Sequence, residues 1–448
     1  MRTKDGKRSA LFYLVYSLPT IGGCMVLALL GYVSYFAINV LGMSSLLVGN
    51  ILLASKIFDG ITDIIGGFLV DHTHTRWGKA RPYDWAYVGF CLAAVLLFCI
   101  PKMGTVAMAA CLFVTYSLIY SVFQTLYTCA SAVYLSRTVE DPKQQVSVNV
   151  FSMFLGIIGA VIAGVFIPVY LENIGTDAGA WRMFAATIGI PCAIISCIRF
   201  FIIKENDTLE EASVQTKINF KEGVHLLSQN KYVLILALAL LSVNITSNMV
   251  SINPFYFEEV VGSLSQQSVV NAVSAIAPLT VVIYPVLANK VGKKRLCVAA
   301  LILGVIGKLL PLIALDNIPL LAVGNALGTI GYMPIFVLAV NMVIECMDYG
   351  EWKSHKRGEG IYSCISGFCS KVGTGIGVWI VGFGMSLGGY VSEAAAQSTM
   401  AVNSIIGLYT IVPALFYLIA IIAMHFYKLD NELPKIREEL EARRAAKN

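Results

Sequence analysis

The sequence predicts an all-α polytopic membrane protein with twelve transmembrane helices. Of its 448 residues, 57% are hydrophobic and only 13% are charged, and the mean hydropathy is +0.74. Because a soluble domain has about 25% charged residues, these values exclude a water-soluble globular fold. The apolar residues lie in long unbroken runs, each near the ~20 residues that one span requires. A membrane β-barrel would instead show alternating segments of about ten residues.

The predicted spans follow one another with polar connections between them. They cover residues 11–40, 44–70, 83–100, 105–135, 147–171, 183–203, 232–252, 268–288, 296–315, 318–345, 360–386 and 401–426. The basic start before the first run resembles a signal peptide, but the run is too long for one and no A-x-A site follows. We therefore expect this segment to be retained as the first span.

The distribution of basic residues predicts the orientation. Most of the 32 Lys and Arg residues fall at the N-terminus, in the even-numbered loops and in the C-terminal tail, whereas the opposite side holds Lys102 and Arg182. By the positive-inside rule both termini are cytoplasmic, as expected for a multi-pass protein of the bacterial inner membrane. The net charge of +5 is then mostly an orientation signal, and no nucleic-acid partner is expected. The eleven cysteines form no disulfide or metal-binding pattern.

A long polar stretch divides the chain into two sets of six spans. The predicted boundaries are 1–203 for the first six-helix bundle, 204–231 for a cytoplasmic linker, 232–427 for the second bundle and 428–448 for a cytoplasmic tail. A degenerate repeat supports this division, because residues 67–71 and 76–79 are echoed by residues 285–294 at the equivalent place in the second half. Duplicated transporter folds carry their substrate between such halves, near mid-membrane.

Few ionisable residues lie inside the apolar runs, and three of them share one face of the second span. Lys56, Asp59 and Asp63 are spaced i, i+3 and i+7. A charge within a span is costly and normally faces a cavity or a partner, so these residues are functional candidates. Two carboxylates one turn apart suit a hard monovalent cation or a shared proton. The alternative is a structural ion pair with Lys56 or with Lys371 of the eleventh span.

Two longer segments resemble a known family. FDGITDIIGG at 58–67 with TRWGKARPY at 75–83, and MDYGEWK at 347–353 with KRGEGI at 356–361, are similar to the glycoside-pentoside-hexuronide:cation symporters of the major facilitator superfamily. The likeness covers essentially the whole chain. It implies a major facilitator fold of two six-helix halves and cation-coupled uptake of a sugar or glycoside by a monomeric protein without a cofactor.

The resemblance also implies roles for single residues. Asp59 and Asp63 match the family's cation-site carboxylates, which would ligate the metal ion if sodium couples. The family's cation-site threonine falls at Gln124, with Thr125 adjacent, and Lys371 matches a lysine near both sites.

At the sugar site the sequence departs from the family pattern. Gly23 and Tyr127 stand where the family has sugar-binding aspartates, Ser131 where it has a stacking tryptophan and Ser152 where it has an arginine. We therefore expect a cavity that binds through neutral amides, hydroxyls and aromatic faces. The predicted substrate-binding residues are Lys371, Tyr127, Asn244, Asn248 and Phe336. Lys371 could also hold an anionic group such as a uronate or sulfonate.

Two cytoplasmic loops, 71–82 and 348–357, are predicted to form an inner gate. Their charged side chains can make ion pairs that are remade as the halves rock. The gate candidates are Asp71, Arg76, Asp348, Glu351 and Arg357.

Two other classes of function are alternatives to symport. A membrane hydrolase would need an HExxH or G-x-S-x-G motif, and neither occurs, so we expect a transporter and not an enzyme. The alternative is an exporter of the same superfamily, or a proton-coupled transporter of another small organic solute. Counting Asp59, Asp63 and Lys371, and leaving Lys56 aside, the site carries one net negative charge, so one monovalent cation per neutral substrate is the simplest coupling.

Overall fold

A computed structural model describes residues 9–73, 75–139, 141–205, 227–313, 315–354, 359–392, 394 and 396–445. Twelve apolar helices follow one another in the described chain, and a thirteenth helix, charged and amphipathic, follows them. They are α1 Ala10–Val40, α2 Ser45–Asp71, α3 Asp84–Phe98, α4 Thr105–Thr138, α5 Pro142–Ile174, α6 Ala178–Ile202, α7 Lys231–Val261, α8 Gln266–Val291, α9 Lys293–Leu312, α10 Ile318–Ser354, α11 Glu359–Leu387, α12 Thr399–Phe426 and α13 Leu429–Ala445.

Eleven of the described helices are long and apolar enough to cross a membrane. The remaining apolar helix, α3, occupies the predicted third span but has only 15 residues. At 1.5 Å per residue it rises about 22 Å, which is less than the ~30 Å of a bilayer core. The predicted class of polytopic helical membrane protein is confirmed, with the third span shorter than expected.

Two compact units divide the chain. The described residues of the first fall in Met1–Glu211, Ser251–Ala272 and Val378–Ile405, and those of the second in Ala212–Val250, Val273–Gly377 and Ile406–Asn448. The C-terminal end of α7, the start of α8, the end of α11 and the start of α12 therefore group with the first six helices. The domain boundaries expected from the sequence stay a prediction.

Small residues bring the helices of the first unit together. α1 packs against α5 and α6, and α6 packs against α3. A β-carbon at Gly159 of α5 would lie 2.7 Å from the carbonyl oxygen of Ile21, and one at Gly189 of α6 would lie 3.2 Å from that of Cys91. Such close approach of backbones drives helix association where lipid removes the hydrophobic effect.

The second unit repeats this packing order. α12 packs against α7 and α9, as α6 packs against α1 and α3 in the first unit. Here α9 and α10 meet at glycines, and a β-carbon at Gly307 would lie 2.6 Å from the carbonyl oxygen of Gly324. The recurrence supports the internal duplication that the sequence repeat indicates.

The glycines of that repeat share an unusual backbone conformation. Gly78, between α2 and α3, has φ of 113°, and Gly292, between α8 and α9, has φ of 93°. Residues with a β-carbon rarely adopt positive φ, so both turns favour glycine. The two connections thus share a glycine at positive φ, although the first is twelve residues long and the second is Gly292 alone.

Two segments are more ordered than the sequence analysis expects. The stretch at 348–354, expected as the start of a gate loop, continues helix α10 to Ser354. The C-terminal tail forms α13, whose Leu429, Leu433, Ile436 and Leu440 are buried in the hydrophobic core of the second unit. The spacing of these four residues places them on one helical face, which is why a segment rich in charge still packs.

Candidate functional site

The acid pair predicted from sequence lies on α2, in the first unit. Asp59 is 4% exposed and Lys56 7% exposed, and the Nζ of Lys56 lies 3.8 Å from Oδ2 of Asp59. The same ammonium group lies 3.1 Å from the ring centroid of Tyr120 on α4. Lys56, which the charge count left aside, therefore contacts the acid pair directly, and its charge belongs in that count.

Thr125 of α4 joins the two carboxylates. Its Oγ1 lies 2.8 Å from Oδ1 of Asp63, 3.3 Å from Oδ1 of Asp59 and 3.2 Å from the carbonyl oxygen of Tyr120. Carboxylate, hydroxyl and carbonyl oxygens are the ligands that hard cations take in proteins. No group of three or more His, Cys, Asp or Glu side chains is placed to hold a metal among the described residues. A cation here would therefore need the threonine and backbone oxygens as well as the carboxylates.

A π-helical segment explains why Thr125, and not Gln124, reaches the acid pair. α4 is π-helical from Leu118 to Gln124 and returns to α-helix at Thr125. The wider turn accommodates an additional residue, which rotates the following residues around the helix axis. Gln124 lines the cavity described next.

A cavity of about 170 Å³ lies in the first unit, between α1, α3 and α4. Its wall is formed by Thr20, Gly23, Cys24, Leu27, Tyr87, Phe90, Gln124, Tyr127 and Thr128. Among these, Tyr127 was predicted to bind substrate. Tyr87 was missed by the sequence analysis: its hydroxyl fills the space next to Gly23 and donates to the carbonyl oxygen of Pro19. The rings of Tyr87 and Tyr127 lie 4.4 Å apart, so this wall is aromatic and uncharged.

The predicted substrate residues of the second unit lie on three helices. On α7, the amide of Asn244 donates to the carbonyl of Leu240 at 2.7 Å, and that of Asn248 to the carbonyl of Asn244 at 2.8 Å. α11 crosses α7 at this level, because a β-carbon at Gly373 would lie 2.5 Å from Cβ of Asn244. Lys371 is half-buried two residues before that crossing.

Phe336 of α10 has a packing partner. Its ring lies 5.3 Å from that of Tyr332 in an edge-on arrangement, and it packs against the core of the second unit. The contact of Lys371 with the acid pair that the sequence analysis considered would join the two units, and it stays a prediction.

The predicted gate residues are only partly described. Arg76 is exposed and stacks on Trp77, with 4.7 Å between the guanidinium carbon and the ring centroid. Asp348 is 9% exposed and accepts a hydrogen bond from Nε of Arg437 on α13 at 3.2 Å. Glu351 is half-buried. Arg357 and the side chain of Asp71 lie outside the described residues.

An acidic cluster at the far ends of α1 and α7 was not predicted. Tyr35 donates to Oε1 of Glu258 at 2.8 Å, and Asn39 to Oε2 of the same carboxylate at 3.2 Å. The hydroxyl of Tyr390, after α11, lies 3.1 Å from Oδ1 of Asn39 and 3.2 Å from Oε1 of Glu259. Neutral donors of α1 and of the segment after α11 thus bind two adjacent carboxylates. The two acids at the end of an apolar run are the sequence signal that could have indicated it.

These observations define a class of protein. Duplicated sets of apolar helices that carry an acid pair within a span and a cavity with an aromatic wall are the features of a secondary membrane transporter. The chain belongs to the MFS/sugar transport protein family, whose model matches residues 15–431. The family is one of transporters and not of enzymes.

Individual relatives cover nearly the whole chain. The isoprimeverose transporter of Lactiplantibacillus pentosus is 30% identical over 93% of this chain and 88% of its own. The inner membrane symporter YicJ of Escherichia coli (strain K12) is 26% identical over 91% and 90%. Among solved structures, a bacterial homologue of the human lysosomal transporter Spinster aligns with a TM-score of 0.66 at 14% identity, over 95% of this chain and 96% of that one. That last likeness shows the fold.

Proposed function

We propose that this protein is a symporter that imports a sugar or glycoside together with a monovalent cation, by alternating access, as a monomer in the bacterial inner membrane. The names of its relatives, an isoprimeverose transporter and an inner membrane symporter, support this substrate class and location. In this proposal both termini are cytoplasmic, as the basic loops indicate.

One observation carries the coupling mechanism: the hydroxyl of Thr125 lies within 3.3 Å of both Asp59 and Asp63. A cation bound by these groups would hold α2 and α4 together. α4 also carries Gln124 and Tyr127 of the cavity wall. Cation binding on one face of α4 would therefore affect the affinity for a sugar bound on the other face. The coupling would then follow from the rigidity of one helix.

Charge determines the number of cations. Asp59 and Asp63 carry two negative charges, and Lys56 supplies one positive charge at 3.8 Å from Asp59. Lys371 lies in the second unit and is not counted here. The groups of the first unit then carry one net negative charge, so one monovalent cation neutralises the site and lowers the cost of moving it through the membrane interior. One cation per neutral sugar is the expected stoichiometry.

Uptake into proteoliposomes tests the function. Radiolabelled isoprimeverose is offered to the purified protein with an inward sodium gradient, with an inward proton gradient, and with neither. We expect accumulation above the external concentration with one of the gradients and its loss when an ionophore dissipates that gradient. Equilibration at the same rate with and without gradients would contradict symport, and no uptake at all would contradict the substrate class.

Substitution of the acid pair tests the site. Asp59→Cys and Asp63→Cys should each abolish accumulation, because each removes one of the two carboxylates that are proposed to bind the cation. Asp177→Asn is a suitable control, since that carboxylate only caps its own helix α6, accepting from Gly179 and Ala180. Accumulation by both cysteine variants would show that the coupling site lies elsewhere.

A further inference from the structure

A buried ion pair lies behind the aromatic wall of the cavity. Arg199 of α6 and Asp84 of α3 are each 3% exposed. Nε of Arg199 lies 3.1 Å from Oδ1 and 3.2 Å from Oδ2 of Asp84, and its Nη2 also binds Oδ1. The guanidinium therefore contacts the carboxylate through two nitrogens, a geometry that holds both groups in fixed orientations.

The positions of the two charges on their helices favour the pair. Asp84 begins α3, and Arg199 lies in the last turn of α6. Each charge is thus at the helix end whose dipole it complements. This offsets part of the cost of desolvation, but a buried pair of this kind is still weak evidence for stability. Its place in the fold therefore calls for another explanation.

Three tyrosine rings surround the guanidinium. Its central carbon lies 5.2 Å from the ring centroid of Tyr16, 5.3 Å from that of Tyr127 and 4.9 Å from that of Tyr134. Of these three rings, Tyr127 is the one that lines the cavity. Tyr127 is therefore held on one side by Arg199 and contacted at 4.4 Å by Tyr87, another cavity residue. Attraction between a cation and a ring is strongest where water is excluded.

We propose that Arg199 and Asp84 are positioning residues for sugar binding, which act by fixing the ring of Tyr127 in the cavity wall. Asp84 orients the guanidinium and neutralises it, and the guanidinium orients the ring. The cavity thereby gains a rigid aromatic face without a net charge close behind it. This inference rests on the proposed function, because it takes the cavity to be the sugar site.

A double-mutant cycle tests the inference. The pair is replaced by apolar residues of similar size, Asp84→Leu with Arg199→Met, because such a replacement removes both charges and leaves none unpaired. We expect the KM for isoprimeverose uptake to rise by up to about thirtyfold, the equivalent of a single buried cation–ring contact, with a smaller change in the maximal rate. In a Tyr127→Leu background the same replacement should have no further effect on KM, because its target is absent.

Two further variants separate positioning from general stability. Arg199→Lys keeps the charge and should restore part of the affinity in a way that Arg199→Met alone does not. Tyr134→Leu removes a ring that contacts Arg199 but does not line the cavity, and it should lower the melting temperature while leaving KM close to wild type. If the apolar pair does not fold, Asp84→Glu and Arg199→Lys, which keep both charges but change the geometry, are taken through the same cycle.

The outcomes are distinguishable. An apolar pair with wild-type KM, or effects on KM that add to those of Tyr127→Leu, would overturn the positioning role. Absence of isoprimeverose uptake by the wild-type protein would instead contradict the proposed function. A measurement without sugar gives an independent answer: the alkylation rate of Cys24, which also lines the cavity, is followed by mass spectrometry. It should change in the apolar pair and stay unchanged in Tyr134→Leu, and equal rates in the apolar pair and the wild type would also overturn the proposal.

Discussion

Gly66 of α2 faces Thr125 of α4 so closely that a β-carbon at position 66 would lie 2.5 Å from the methyl carbon of Thr125. The absence of a side chain at Gly66 is thus what allows the threonine hydroxyl to reach Asp59 and Asp63. The contact between Thr125 and the two carboxylates therefore requires that position 66 has no side chain.

Gly66→Ala is expected to weaken the cation site. The added methyl group must displace Thr125 or separate the helices, and overpacking of this kind costs about 1–3 kcal/mol. The cation concentration for half-maximal uptake should rise about fivefold or more. Gly60→Ala on the same helix is the control, because a β-carbon at Gly60 meets nothing within 4 Å. Equal cation dependence in the two variants would show that the close approach does not matter.

Lys56 is expected to tune the affinity of the same site. Lys56→Met leaves Asp59 without the ammonium group at 3.8 Å, so the two carboxylates would attract a cation more strongly. An opposite charge at this distance shifts such equilibria by about tenfold or more. We expect half-maximal uptake at a lower cation concentration and a lower maximal rate, because release is slower. Lys56→Arg keeps the charge and should stay near wild type; weaker cation binding in Lys56→Met would contradict this account.

Hydropathy was sufficient to predict where the apolar helices lie, because the bilayer requires long apolar helices. Spacing was sufficient to predict that Asp59 and Asp63 share one face, because helix geometry fixes which residues do so. The partner on α4 could not be placed in the same way. Its register depends on the π-helical segment ending at Gln124, and a local widening of the helix leaves no periodic signal. Similarly, Tyr87 of α3 contacts Gly23 of α1, and this contact depends on how the two helices pack.

The C-terminal helix is an example of a signal that was present but not used. In the sequence analysis residues 428–448 are described only as a cytoplasmic tail, although Leu429, Leu433, Ile436 and Leu440 recur at spacings of four, three and four. The polar residues of α13 also bind: Trp352 of α10 donates to Glu439 at 2.6 Å, and Tyr232 donates to Glu432 at 2.6 Å. Composition alone therefore does not reveal that this charged helix has an apolar face.

The acidic cluster at the ends of α1 and α7 is expected to influence the conformational equilibrium. Glu258→Gln removes the charge that Tyr35 and Asn39 bind. Hydrogen bonds to a charged group contribute about 1.5–3 kcal/mol, so the ratio of the two access states should shift by about tenfold. Accessibility of single cysteines placed on either side of the membrane measures that ratio. Glu172→Gln is a related comparison, because Glu172 binds Ser263 and Ser265 near the same end.

Tyr35→Phe provides the reciprocal test of that cluster. It leaves the carboxylate charged but removes one donor, so it should shift the access ratio in the same direction and by less than Glu258→Gln. A ratio unchanged in both variants would show that the cluster only stabilises the fold.

Lys371 is expected to affect anionic substrates more than neutral ones. It lies two residues before the glycine at which α11 crosses Asn244 of α7, in the second unit. Lys371→Gln removes a positive charge from the predicted substrate residues, which weakens attraction for a uronate and leaves a neutral glycoside less affected. Paired uptake of a neutral glycoside and its uronate analogue measures the difference. Lys308→Gln is the control, because that lysine is also in a span of the second unit but faces the ring of Tyr409 at 5.5 Å. Equal losses for both substrates in Lys371→Gln would rule out pairing of Lys371 with the substrate and leave it as a partner of protein carboxylates.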